Sequence, residues 1–71
     1  RRLINKKAFE EMQLLEKTIE MAGLTMEVSL KIINGKEYFV ITDQDDYSLY
    51  GKNYTEAVKM LTAYQAEKYG R

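Results

Sequence analysis

The chain contains no cysteine, no histidine, no tryptophan and no proline in its 71 residues. Without cysteine there is no disulfide scaffold, no thiolate zinc site and no thiol nucleophile. Without histidine there is no Ser-His-Asp machinery, no imidazole metal ligand and no general base of the commonest kind. An excess of charge of one sign is missing too, because eleven Lys and Arg balance eleven Asp and Glu. No apolar run approaches the roughly 20 residues that a membrane span requires. Glycine is scarce, and Gly23, Gly35, Gly51 and Gly70 stand one per junction, so there is no glycine-rich phosphate loop.

What remains is the mixture of a soluble folded domain, 45% hydrophobic and 31% charged. A chain this short buries only about 60% of the surface its unfolded form exposes. With no disulfide or zinc staple, it needs good caps and a well-packed core, or a partner that completes the core. No signal-peptide pattern is evident, which fits a cytoplasmic location.

The first segment carries an apolar stripe of Ala8, Met12, Leu15, Ile19 and Ala22, widened by Leu14, with Glu10, Glu11, Glu16, Lys17 and Glu20 opposite. It lasts barely two heptads, so it reads as a core-facing helix and not as a coiled-coil seam. Asn5 suits the N-cap, and Ile4 with Phe9 suits a hydrophobic staple. Gly23 followed by Leu24 suits the left-handed stop with its apolar contact.

Met26, Val28, Leu30 and Ile32 then alternate with Glu27, Ser29 and Lys31, the period of a half-buried strand. Asn34-Gly35 favours a type I′ hairpin, and Lys36 to Thr42 is the return strand. That turn sets the register. Pairing Ile33 with Lys36 puts Val28, Leu30, Ile32, Phe39 and Ile41 on one face, the core face. Glu27, Ser29, Lys31, Ile33, Tyr38, Val40 and Thr42 share the other.

Asp43-Gln44-Asp45-Asp46 reads as an acidic turn and Tyr47 to Tyr50 as a short third strand. If Asp43 pairs with Tyr47, Leu49 falls opposite Ile41 in the core, and Ser48 and Tyr50 join the outer face. Asn53 with Glu56 forms a capping box for a second helix. That helix directs Ala57, Leu61, Tyr64 and Lys68 to one side, with Val58 and Met60 beside them, and ends at Gly70. The predicted fold is a single α+β domain over 1–71, α-β-β-β-α, with both helices on one face of an antiparallel meander.

This order resembles the double-stranded-RNA-binding domain. The resemblance implies RNA contacts from the first helix, the first hairpin loop and lysines at the start of the last helix. Here that last segment reads Gly51-Lys52-Asn53-Tyr54-Thr55-Glu56-Ala57, with Thr55 and Glu56 where the family has paired lysines. The likeness is therefore one of layout, an analogy of fold.

Candidate chemistry is sparse. An EF-hand loop begun at Asp43 would put Tyr47, Ser48 and Tyr54 where an oxygen ligand, a glycine and a glutamate belong. The acidic turn thus reads as solvated, without metal or other cofactor. Glu27 and Glu37 fall on opposite faces and cannot act as an acid/base pair. No enzymatic centre and no small-molecule substrate are implied.

Tyrosine is the prominent residue, six in all, with Tyr47, Tyr50 and Tyr54 close together. Tyr38, Val40 and Tyr50, near Ile33, are predicted on the sheet face that no helix covers. Interfaces favour tyrosine for its large contact area and few rotors. The expected role is a protein-interaction module, acting by homodimerisation or by docking on a larger protein through Ile33, Tyr38, Val40, Tyr47 and Tyr50. Asp43, Asp45 and Asp46 would face a basic surface. Very small, neutral, cofactor-free chains of this build occur among phage and mobile-element accessory or inhibitor proteins. The alternative is a nucleic-acid-binding domain using Arg1, Arg2, Lys6, Lys7, Lys31 and Lys36.

Overall fold

The computed structural model describes residues 6–69. Helix α1 spans Lys6–Met21, strands β1, β2 and β3 span Glu27–Ile33, Lys36–Thr42 and Ser48–Gly51, and helix α2 spans Tyr54–Tyr69. The strands form one antiparallel sheet in the order β1-β2-β3. Asn5 and Ile4 of the expected cap and staple, together with Gly70, lie outside the described residues.

Local chemistry explains each boundary. Gly23 takes φ +75°, Leu24 N–H donates to the Ile19 carbonyl at 3.1 Å, and Gly23 N–H donates to Glu20 at 3.0 Å. That pair of bonds is a Schellman stop, and Leu24 packs against the core as such stops favour. Asn34 (φ 53°) and Gly35 (φ 78°) make the type I′ turn, and the β1–β2 register follows the turn as expected, from Ile33 opposite Lys36 to Glu27 opposite Thr42. At α2, Asn53 Oδ1 accepts from Glu56 N–H at 2.9 Å. Glu56 Oε1 reaches one residue beyond the cap and accepts from Lys52 N–H at 2.7 Å.

The second register also follows the expected pairing, with Ile41 opposite Leu49 and Asp43 N–H donating to the Tyr47 carbonyl at 2.9 Å. The loop holds this register without glycine because Asp46 takes the left-handed conformation, φ 66°, which aspartate tolerates better than most residues. Strand β3 begins at Ser48, one residue later than expected, and runs on to Gly51.

The core unites Leu15 and Ile19 of α1 with Val28, Phe39, Ile41 and Leu49 of the sheet and with Ala57 and Leu61 of α2. Helix α1 lies against β1 and α2 against β3, both on the face of Val28 and Ile41. Three positions on the expected apolar faces lie outside the core. Leu14 is exposed on the flank of α1, Ala22 is exposed past the end of that helix, and Ile32 is exposed next to the hairpin turn. A repeat identifies a face but not how far the covering element reaches.

Gly51 has a packing role that its place beside a turn conceals. A Cβ there would lie 2.7 Å from the Ala57 Cα and 2.8 Å from its N and Cβ. The first turn of α2 rests directly on β3, and only a glycine leaves room for it.

Candidate functional site

The outer face of the sheet carries Ser29 and Lys31 from β1, Tyr38, Val40 and Thr42 from β2, and Ser48 and Tyr50 from β3. Both helices occupy the opposite side, so neither covers this face. At its centre Val40 lies between Ser29 and Tyr50 across the ladder. It is only 1% exposed although it belongs to the outer face and not to the helix-packed core. The rings of Tyr38 and Tyr50 meet edge to face, with centroids 6.5 Å apart and planes at 78°. Aromatic pairs in this geometry contribute about 0.5–1.5 kcal/mol beyond their area burial.

Around that centre Tyr50 stays 45% exposed and Ile33, at the hairpin end, 37%. Thr42 Oγ1 and Ser48 Oγ share a hydrogen bond of 3.0 Å on the same face. The middle of the surface is thus aromatic over a buried Val40, and the charges sit along β1 (Glu27 and Lys31) and at the hairpin end of β2 (Lys36).

The remaining candidates are placed elsewhere. Tyr47 precedes β3 and stacks on Tyr64 of α2, with centroids 6.3 Å apart and planes at 18°, so it is separated from Tyr38 and Tyr50. Asp43 is engaged within the fold. Its Oδ1 accepts from the amides of Asp45 and Tyr47, both at 2.9 Å, and its Oδ2 accepts from the Tyr64 hydroxyl at 2.7 Å. Asp45 Oδ2 lies 3.8 Å from Lys68 Nζ, and that ammonium also sits 5.6 Å from the centre of the Tyr64 ring. Asp46 is exposed, but its backbone closes the turn through a 3.1 Å bond to the Asp43 carbonyl. The acidic turn is a clasp on the end of α2.

These contacts set the local acid–base behaviour. The Tyr64 hydroxyl, followed by the Tyr47 amide, holds the Asp43 carboxyl below the usual range. The bond to Asp43, followed by burial, pushes the Tyr64 phenol up. The Tyr64 oxygen is likewise the chief reason that Lys68 is held up. Among the described residues, no three Asp or Glu side chains converge to hold a metal ion.

Sequence reasoning assigned Tyr64 and Lys68 to the packed side of α2 without foreseeing the clasp. Their i, i+4 spacing put both on one helix face, but nothing local pointed to Asp43. A second feature had no local signal at all. A shallow groove of about 380 Å³ opens between the start of α1, the hairpin and the start of α2. Lys7 and Lys52 line it together with Glu11 and Glu37, so its charges balance. Of the other basic candidates, Lys31 and Lys36 lie on the outer face, Lys36 at the hairpin end, Lys6 is exposed at the start of α1, and Arg1 and Arg2 lie outside the described residues.

No known family model, no curated protein and no solved structure matches this chain. The likeness to the double-stranded-RNA-binding domain rests on element order alone. Among the described residues no helix is long and apolar enough to cross a membrane.

Proposed function

We propose that the chain is a non-enzymatic protein-interaction module that binds a protein partner through the uncovered sheet face. One observation carries this reading: Tyr38 and Tyr50 form a paired aromatic surface beside the buried Val40, on a side of the sheet that neither helix covers. The pair is preformed, so little side-chain entropy remains to be lost on binding. The partner best suited to it presents an uncharged apolar patch, because the charged residues of this face lie along β1 (Glu27 and Lys31) and at the hairpin end (Lys36), away from the tyrosine pair. Within the acidic turn Asp43 is taken up by the fold, since both of its carboxylate oxygens already accept hydrogen bonds, and Asp45 and Asp46 stay exposed beside Tyr47. A chain that works in this way acts by occupying a surface, as accessory and inhibitor proteins do.

Affinity capture from the native host with the wild-type chain and with Tyr38→Ala and Tyr50→Ala tests the proposal. A protein held by the wild type should be bound at least about tenfold more weakly by each variant, the loss expected at an aromatic hot spot. Equal recovery by folded variants contradicts it. Binding to duplex RNA or DNA that collapses with added salt would instead assign the chain to the nucleic-acid class, with Arg1, Arg2, Lys6, Lys7, Lys31 and Lys36 as the candidate contacts.

A further inference from the structure

The two edges of the sheet are unequal. Strand β3 has four residues and ends where α2 crosses it, whereas β1 has seven residues, no proline and an unbroken register with β2. Short edges protect themselves from pairing, and long regular ones offer a template. The hairpin turn determines which groups β1 offers. A two-residue turn closes on a hydrogen-bonded pair, Ile33 with Lys36. By alternation Ile33, Lys31, Ser29 and Glu27 direct their N–H and C=O groups to β2. Val28, Leu30 and Ile32 direct theirs outward.

We infer that β1 pairs antiparallel with β1 of a second copy, about a two-fold axis at Ser29, to form a continuous six-stranded sheet. In this register Val28 and Leu30 of the second copy are opposite each other and exchange backbone hydrogen bonds, since both carry outward-facing groups. Glu27 falls opposite Lys31 of the second copy, on the outer face and in the closely spaced, non-hydrogen-bonded class of pair. The symmetry makes that ion pair twice. Within one copy both side chains are exposed, and neither has an ion-pair partner among the described residues.

Other registers lose this match. An axis at Val28 or Leu30 sets Glu27 against Ser29 or Ile33 of the other copy, and an axis at Lys31 sets the two lysines together. The charge order of the strand therefore selects one pairing. On the helix side Leu30, only half-buried in a single copy, gains Val28 of the second copy as a neighbour. A ladder this short buries less than the ~1,000 Å² of a permanent interface, so the dimer is a concentration-dependent one. It leaves Tyr38 and Tyr50 free for another partner, and it does not rest on what those residues bind.

Sedimentation equilibrium on the full chain should show a monomer–dimer equilibrium. Glu27→Lys should weaken the dimer about tenfold, through two like-charge pairs, and Glu27→Lys combined with Lys31→Glu should restore it. Because the chain has no cysteine, Ser29→Cys provides a second readout. Mild oxidation should link it across the axis at least about tenfold faster than Lys36→Cys, whose position at the hairpin tip is away from the axis. A monomer at every concentration overturns the inference. So does a dimer indifferent to Glu27→Lys, or equal cross-linking of the two cysteine variants.

Discussion

The hydroxyl of Tyr64 donates to Oδ2 of Asp43 at 2.7 Å and so ties α2 to the turn between β2 and β3. The carboxylate thereby serves two ends at once, organising its own turn through Oδ1 and fastening the last helix through Oδ2. Lys68 completes the arrangement from the next turn of the helix.

The clasp gives stability a predictable dependence on pH. Asp43 is lowered from 3.8 in the folded state, so its contribution is complete above that value and is lost as pH falls through the folded value. Tyr64 and Lys68 are raised from 10.0 and 10.5, so their contributions are complete below those values and fade as pH climbs through the folded ones. Urea midpoints measured across pH should therefore fall at both extremes. Asp43→Asn should be less stable than the wild type at neutral pH, and the gap should narrow below pH 3.8. Tyr64→Phe should flatten the alkaline limb.

Two glycine substitutions should fail for different reasons. Gly51→Ala drives a methyl group into the Ala57 backbone and should cost about 1–3 kcal/mol by overpacking. Gly35→Ala meets nothing within 4 Å, and its cost of about 1–2 kcal/mol comes from the left-handed backbone alone. D-alanine at residue 35 of a synthetic protein isolates the second cause in chemical denaturation: it should be tolerated, because φ +78° suits a D residue and nothing lies within 4 Å.

Tyr50→Ala removes the edge-to-face partner of Tyr38 and uncovers one side of Val40. The stability loss should be about 1 kcal/mol, the worth of such an aromatic pair, and the fold should persist. Circular dichroism and thermal unfolding check this outcome, which qualifies the variant for binding experiments.

Asn53→Ala should lower stability by about 1 kcal/mol, because Glu56 N–H loses its acceptor at the start of α2. Hydrogen exchange should quicken in the first turn of α2, and β1 and β2 should keep their protection.

The central ribbon was legible because one dipeptide constrained it. Asn34-Gly35 admits few turns, the turn fixed the register, and the alternation of Val28 and Leu30 with Ser29 and Lys31 then chose the inward face. The stop at Gly23 was legible for the same local reason. Ala22 and Ile32 lie outside the core because a periodic pattern continues past the point where the packed element ends, and Leu14 because it sits on the flank of α1. Gly51 looked like punctuation, since a glycine needed for close approach has the same sequence signature as one needed for a turn. The uncovered face was foreseen from the hairpin register, but the near-complete burial of Val40 was not, because it depends on neighbours from two other strands. The bond from Tyr64 to Asp43 links side chains from separate elements, and no local pattern encodes it.

Amide chemical-shift mapping of the isotope-labelled chain, titrated with the protein it captures, reads the binding surface residue by residue. The account predicts that shifts and line broadening concentrate on Ser29, Tyr38, Val40, Ser48 and Tyr50, with little change as salt is raised. Perturbations confined to α1 and α2, with those five amides unmoved, would contradict it.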